Sequence, residues 1–382
     1  MNEFDVVVVG HGAAAQAVLR ELRSAAPDLS TALVGDVAGI NRTLVTKGIL
    51  TGLLSPEQTA LLLPTGVRRI EGPAIGLDVN DSRLRLLPAW RTLRYRALVV
   101  TTGSAPRPLR GPDLSVPVLH MHDPKDAEAV RTLLDSTGQG PVRVAVLGAG
   151  LVGAETAAAL RDAGAHVHLV ARSTLPLTSA LGARLAGRVA ALHREHLTAH
   201  LGVAVDHGLS TGRRRGIALD DGTELELDLV IAAQGTNPRT AWTKIGTRSG
   251  IRVDDRLRWR PRLYAAGGAA VHNTAEGHDY RIDHWDAATD QGRHAARAVL
   301  FDLGLGDDPG PYVPRSGYTV HFHGATLAGI GVAAPGAVPH FEGLADGAGI
   351  TRFVSPSGQL VGAAALNAPS AVRELATEIA RA

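Results

Sequence analysis

Two glycine-rich hexads carry the clearest chemistry in this 382-residue chain. Gly10-His11-Gly12-Ala13-Ala14-Ala15 follows the apolar run FDVVVV and fits G-x-G-x-x-A. Gly148-Ala149-Gly150-Leu151-Val152-Gly153 follows VRVAVL and is a full G-x-G-x-x-G. In each, the first glycine permits a tight turn and the second lets a pyrophosphate approach the backbone. The small third residue lets helix and strand pack, so the phosphates rest on a helix N-terminus. A ribose acceptor is expected at the end of the next strand. In the first copy that is Asp36, which could equally be an ordinary turn residue. In the second copy Ala171 stands there, followed by Arg172 and Ser173. Without an acid nothing repels a 2′-phosphate, and Arg172 with Ser173 could pair with one, which favours NADPH over NADH. The plain alternative is an arginine in solvent.

Histidines supply a second set of candidates. His193, His196 and His200 have i, i+3, i+7 spacing with Glu195 among them, which on one helix could face a zinc ion. Such runs are more often a solvated or half-buried helix side, and no metal site is expected. His321 and His323 flank Phe322 and are expected to point to one face of a strand. A proton-handling role there is weighed against simple packing.

The elements that must position these residues repeat. FDVVVVGHGAAAQAVLRELRSAAPDLSTALVGD reads as strand, glycine turn, helix, strand, and VRVAVLGAGLVGAETAAALRDAGAHVHLVARS repeats that plan. Short apolar runs suit parallel strands buried on both faces. Between the two units, LRYRALVVTTGSAPRPLRGPD is a strand with a proline-rich exit, and LDLVIAAQGTNPRT is a similar exit after the second unit. The chain then re-enters the first unit through RLYAAGGAAVHN and the helix HWDAATDQGRHAARAVLFDLG. A linker, GDDPGPYVP, precedes a third region of short strands closed by a helix from Ser370 onward. The net charge of +2 argues against nucleic acid as the default partner, although GRRRG (Gly212–Gly216) and the alternation Arg256, Arg258, Arg260, Arg262 form local basic patches. No signal peptide or membrane-spanning run is read, so a cytoplasmic location is expected. The chain has no cysteine, which removes every dithiol mechanism.

Taken in order, G-x-G-x-x-A, NRTLVTK, TTGSAPR, G-x-G-x-x-G-x-E, AAQGTNP, YAAGG and HWDAATDQGRHAA resemble the flavoproteins with two dinucleotide-binding domains, the pyridine nucleotide-disulfide oxidoreductase superfamily. Within them the chain is most similar to the ferredoxin- and rubredoxin-reductase branch, and GQLVGAAALNAPSAVREL resembles that branch's C-terminal signature. The resemblance covers essentially the whole chain. It implies an α/β fold of two Rossmann-like domains, with FAD-binding residues 1–112 and 241–308, NAD(P)H-binding residues 113–240, and a small α+β interface domain at 309–382.

The resemblance also implies site residues. Lys47 matches the lysine beside flavin N5, and Glu155 matches the acid that pairs with it; a cation near N5 favours the electron-rich reduced flavin. Arg42 could face the pyrophosphate, and Trp285 falls where a residue packs on the isoalloxazine. Thr102 and Gly103 match the strand end that lines the phosphates, with Ala74 and Arg107 as further FAD contacts and Gly235 as a further NAD(P)H contact. Three positions depart from the pattern. The aspartate expected after Gly267 is Gly268, an expected arginine is His122, and the segment 37–41 is short. Backbone N–H groups of Gly267 and Gly268 are expected to offset part of the loss, and Gly268→Asp is expected to tighten FAD.

The function implied is an FAD-dependent NAD(P)H oxidoreductase that passes electrons to a ferredoxin- or rubredoxin-type acceptor without a thiol relay. Two other readings stay open. A flavoenzyme could act directly on a small molecule or quinone, or a nucleotide- or partner-binding protein could have lost flavin redox chemistry. A homodimer is compatible with each.

Overall fold

The computed structural model describes residues 2–35, 38–88, 90–109, 114–136, 140–211, 214–274 and 277–379. The strand Asn2–Val9 is the middle of the first sheet. Val6 to Val9 are all buried, as a strand covered on both faces requires. It pairs in parallel with Thr31–Gly35 on one side and Arg91–Val100 on the other. Val67–Glu71 extends one edge, and Leu263–Ala265 joins Arg91–Val100 in parallel, so the chain does return to this sheet late in its course.

The helix Ala13–Ala25 packs on the long helix Trp285–Asp302. Gly292 allows that approach, because a Cβ there would lie 2.9 Å from the Ala14 Cα.

The second sheet is wholly parallel, in the order Thr198–Leu201, His166–Ala171, Arg143–Leu147, Leu229–Ala232, Val118–Leu119. Its strands alternate as a two-residue period demands. Val144 and Val146 pack with Ala157 and Leu160 of the helix Leu151–Asp162. Ala145 and Leu147 face Ile217, Leu219 and Leu225 of a three-stranded antiparallel sheet. The two passages between the nucleotide units, Ser104–Pro106 and Thr236–Pro238, pair with each other antiparallel.

Residues from Gly317 onward form a five-stranded antiparallel sheet with the short helix Pro369–Glu374. Val320, Phe322, Leu327 and Phe353 of that sheet bury Leu181, Leu185 and Val189 of the helix Thr178–His196. The architecture is thus α/β, two Rossmann-like units plus a C-terminal α+β unit. Among the described residues no helix is long and apolar enough to cross a membrane.

Two expectations about histidines fail. The helix ends at His196, Leu197 turns extended, and His200 lies in the strand Thr198–Leu201. His200 therefore leaves the helical face and puts Nε2 3.1 Å from His168 Nδ1. The strand Gly317–Phe322 ends before His323, which with Gly324 forms a two-residue hairpin turn at φ 52° and 75°. His321 stays exposed, while His323 is buried with Nε2 3.0 Å from His193 Nδ1. The pair does not share a face.

Two of the four arginines of the alternation are paired with aspartates. Arg256 pairs with Asp308 and Asp255, and Arg258 with Asp254 and Asp302. Residues 212 and 213 of the other basic run lie outside the described residues.

Candidate functional site

A cleft of about 700 Å³ runs from the first glycine turn to the second and is closed on one side by the C-terminal sheet at Thr319 and Val320. Each turn is built as its sequence implies. Gly10 and Gly148 sit at φ +109° and +110°, where a Cβ would meet the backbone of Thr101 or Ala233. At Gly12 and Gly150 a Cβ would meet nothing within 4 Å, so both backbones border open space. Gly153 is the close-packing position, since a Cβ there would collide with Gly148.

Most of the expected site residues line this one cleft. Gly10, Gly12, Ala13, Ala14, Arg42, Lys47, Ala74, Thr102, Gly103, Gly267, Gly268 and Trp285 do so from the first unit, and Gly150, Leu151, Val152, Glu155 and Gly235 from the second. Ala15 is buried in the core behind the turn. Arg107 is not on the wall; its Nε donates to the Thr236 carbonyl at 3.2 Å. Arg172 and Ser173 lie away from the cleft at the end of His166–Ala171. The Ser173 hydroxyl donates to the Leu175 carbonyl at 2.8 Å, while Arg172 is exposed without a partner among the described residues. Asp36 lies outside the described residues.

Lys47 and Glu155 meet, although 108 positions separate them in sequence. Lys47 is carried on the π-helical turn Val45–Leu50, and its Nζ lies 3.6 Å from Glu155 Oε1. Two groups not foreseen fix the pair. The Thr46 hydroxyl donates to Glu155 Oε2 at 2.8 Å, and Lys47 Nζ donates to the Thr319 carbonyl at 2.8 Å. The ammonium is thereby shared among all three units.

A second charged wall holds Arg42, Arg239 and His122. Burial and the neighbouring Arg239 lower the Arg42 pKa, and Arg42 Nε is buried with no partner among the described residues. Burial, with Arg42 and Arg239 beside it, drives His122 down to about 4. The position expected to carry an arginine is thus a neutral imidazole, and Arg239, from the second passage, supplies the guanidinium. Thr102 and Gly103 hold that passage: the Thr102 hydroxyl donates to the Arg239 carbonyl at 2.7 Å, and the Arg239 N–H to the Gly103 carbonyl at 2.9 Å. A guanidinium nitrogen with no partner among the described residues, in the same cleft as the open Gly12 backbone, fits a pyrophosphate.

The glycine pair Gly267-Gly268 departs from expectation. The Gly267 N–H already donates to Gln291 Oε1 at 2.8 Å, so it offers nothing to an anion. Beside Gly268 stands Asp283, which lines the cleft with His284. Burial pushes the Asp283 pKa up, but Arg281 and the hydroxyls of Thr236 and Ser104 outweigh it and hold the pKa below the ordinary value. His284 touches Tyr318 of the C-terminal sheet, ring centroids 5.6 Å apart, and burial and then Lys47 help keep its pKa low. Sequence reasoning missed Thr46, Arg239, Asp283 and His284. Thr46 and His284 lie inside NRTLVTK and HWDAATDQGRHAA, and Arg239 is a cation directly after the glycine exit GTNP, whereas Asp283 has no local signal.

Residues 4–292 match the family described as pyridine nucleotide-disulphide oxidoreductase. A relative from Burkholderia cepacia, the ferredoxin–NAD(+) reductase component of an anthranilate 1,2-dioxygenase system, is 28% identical over 322 residues, covering 78% of this chain and 76% of that protein. Among solved structures, putidaredoxin reductase in covalent complex with putidaredoxin superposes with a TM-score of 0.84 at 22% identity, covering 99% of this chain and 94% of that one. An engineered water-forming NADPH oxidase bound to NADPH, derived from a Lactobacillus brevis enzyme, superposes with a TM-score of 0.79 at 20% identity, covering 98% and 91%.

Proposed function

The chain belongs to the pyridine nucleotide-disulphide oxidoreductase family, and on that premise we propose that it is an FAD-dependent NADPH oxidoreductase serving a ferredoxin- or rubredoxin-type acceptor in the cytoplasm. The observation that carries this reading is the single cleft joining both glycine turns past the Lys47–Glu155 pair. The FAD-binding part is assigned to 1–112 and 241–308, the NADPH part to 113–240 and the interface part to 309–382.

Gly12 with Arg42 and Arg239 would hold the FAD pyrophosphate, and Gly150 would take that of the nicotinamide nucleotide. Bound there, a flavin supplies hydride acceptance from the nicotinamide and stepwise electron release. Lys47 presents a fixed positive charge on that path, and Glu155, held by Thr46, keeps it from swinging into solvent. With no cysteine in the chain, electrons leave the flavin site without a thiol relay.

NADPH is preferred because Ala171-Arg172-Ser173 offers a cation and no acid. The engineered oxidase bound to NADPH carries three consecutive substitutions, Asp to Ala, Ala to Arg and Met to Ser, which spell the same triplet. The acceptor class follows the Burkholderia cepacia relative, named as a ferredoxin reductase component.

Anaerobic stopped-flow mixing of the FAD-loaded protein tests the proposal. NADPH should bleach the flavin band, and an added ferredoxin should restore it within the same experiment. Rapid return with a quinone but not with ferredoxin would move the acceptor to a small molecule. A protein that stays colourless with added FAD would leave only nucleotide or partner binding.

A further inference from the structure

Asp283 stands where residue 268 has no side chain. A Cβ built on Gly268 would overlap Asp283 Oδ1 and lie 3.1 Å from its Cγ. The carboxylate is held from three directions, and every donor lands on Oδ2: the Ser104 hydroxyl at 2.7 Å, Arg281 Nη1 at 3.0 Å, and the Thr236 hydroxyl. Arg281 is itself fixed, donating to the Gly268 carbonyl at 3.1 Å and to Thr236 Oγ1 at 2.8 Å. Among the described residues no donor reaches Oδ1, which lies beside Gly268, and the side chain lines the cleft with 31% of its surface exposed.

An ionised carboxylate with one oxygen free accepts hydrogen bonds from hydroxyls and repels phosphate. The phosphate-binding character lies elsewhere on the wall, at Gly12, Arg42 and Arg239. A polyol next to a pyrophosphate, as a flavin dinucleotide carries, satisfies both. We propose that Asp283 is the carboxylate that receives the ribityl hydroxyls of FAD, replacing in space the side chain that Gly268 lacks. The proposal rests on the FAD reading above. It reverses the expectation for Gly268→Asp, since a second carboxylate there would collide with the first and repel it.

The test is a flavin-fluorescence titration of apoprotein with FAD. Asp283→Asn should weaken binding about 10- to 100-fold, the loss of one charge-assisted hydrogen bond. Gly268→Asp alone should also weaken it, and Gly268→Asp combined with Asp283→Gly should bind at least about tenfold tighter than Asp283→Gly alone. An Asp283→Asn Kd within twofold of the parent, or a combined variant no tighter than Asp283→Gly, would overturn the proposal. NADPH binding, read separately, reports folding of the variants. If Asp283→Gly does not fold, FAD lacking one ribityl hydroxyl replaces it. That analogue should bind the parent about tenfold more weakly than FAD does, yet bind Asp283→Asn no more weakly; equal losses in both proteins would overturn the assignment. A parent protein that binds no FAD overturns the FAD reading itself, and this proposal with it.

Discussion

Arg42 and Arg239 bring two guanidiniums to one wall, and burial, followed by the charge of Arg239, lowers the Arg42 pKa. Asp123 and Asp283 offset that repulsion in part, and an anion between the two guanidiniums would turn the rest into two charge-assisted contacts. His122, driven down to about 4, cannot contribute a third charge near neutral pH. Arg239→Met should therefore weaken FAD by about 10- to 100-fold. It should also raise the melting temperature of the apoprotein, since a repulsive cation is removed, and it should flatten the fall of affinity with added salt. Affinity measured at several salt concentrations, alongside apoprotein melting, checks all three. Loss of affinity with a lower apoprotein melting temperature would make Arg239 a structural prop instead.

At the scale of elements, the sequence disclosed what local pattern dictates. Four consecutive valines before Gly10 and the spacing of the two glycine hexads point to strand, turn and helix, and the two Rossmann-like units follow from them. Asp283 was not legible. It precedes the helix Trp285–Asp302 like any solvated turn residue, and the partners that give it meaning, Ser104 and Thr236, lie 179 and 47 positions away. His323 departs from strand alternation for a related reason: two-residue hairpin geometry overrides it. That turn has a measurable consequence. Burial lowers His193 to about 4, and burial with His193, Arg161 and His196 close by lowers His323 to about 3, only partly opposed by Asp162. The unfolded chain takes up these protons near pH 6.5, so between there and about pH 4 it binds more protons than the fold, and stability falls as pH drops. His323→Asn tolerates the left-handed backbone and cannot titrate, so it should flatten the decline in melting temperature over that window. An unchanged slope would place the acid sensitivity elsewhere. The end of His166–Ala171 offers a further element-scale test. Arg172→Ala should lower kcat/KM for NADPH about tenfold or more with little change for NADH, as expected for one lost charged contact. Equal losses for both nucleotides would remove Arg172 from 2′-phosphate recognition.

The whole molecule is organised so that its three units share one binding event. Lys47 of the first unit reaches Glu155 of the second and the Thr319 carbonyl of the third. Ser104 and Thr236, on the two passages that join the nucleotide units, both donate to Asp283. The arginines Arg256 and Arg258, by contrast, are paired with aspartates of their own unit and add little to steering toward an acidic carrier. Because both passages donate to Asp283, a ligand that engages Asp283 should stiffen them together. FAD at one hundred times its Kd should add about 2.7 kcal/mol to the unfolding free energy. Hydrogen exchange should slow jointly in Ser104–Pro106, Thr236–Pro238 and the Gly267-Gly268 turn, although these segments belong to different parts of the chain. In a Ser104→Ala, Thr236→Val variant the Gly267-Gly268 turn should still be protected by FAD, while the two passages should lose most of theirs. Passages that remain equally protected in that variant would show that FAD stiffens the molecule by a route other than Asp283.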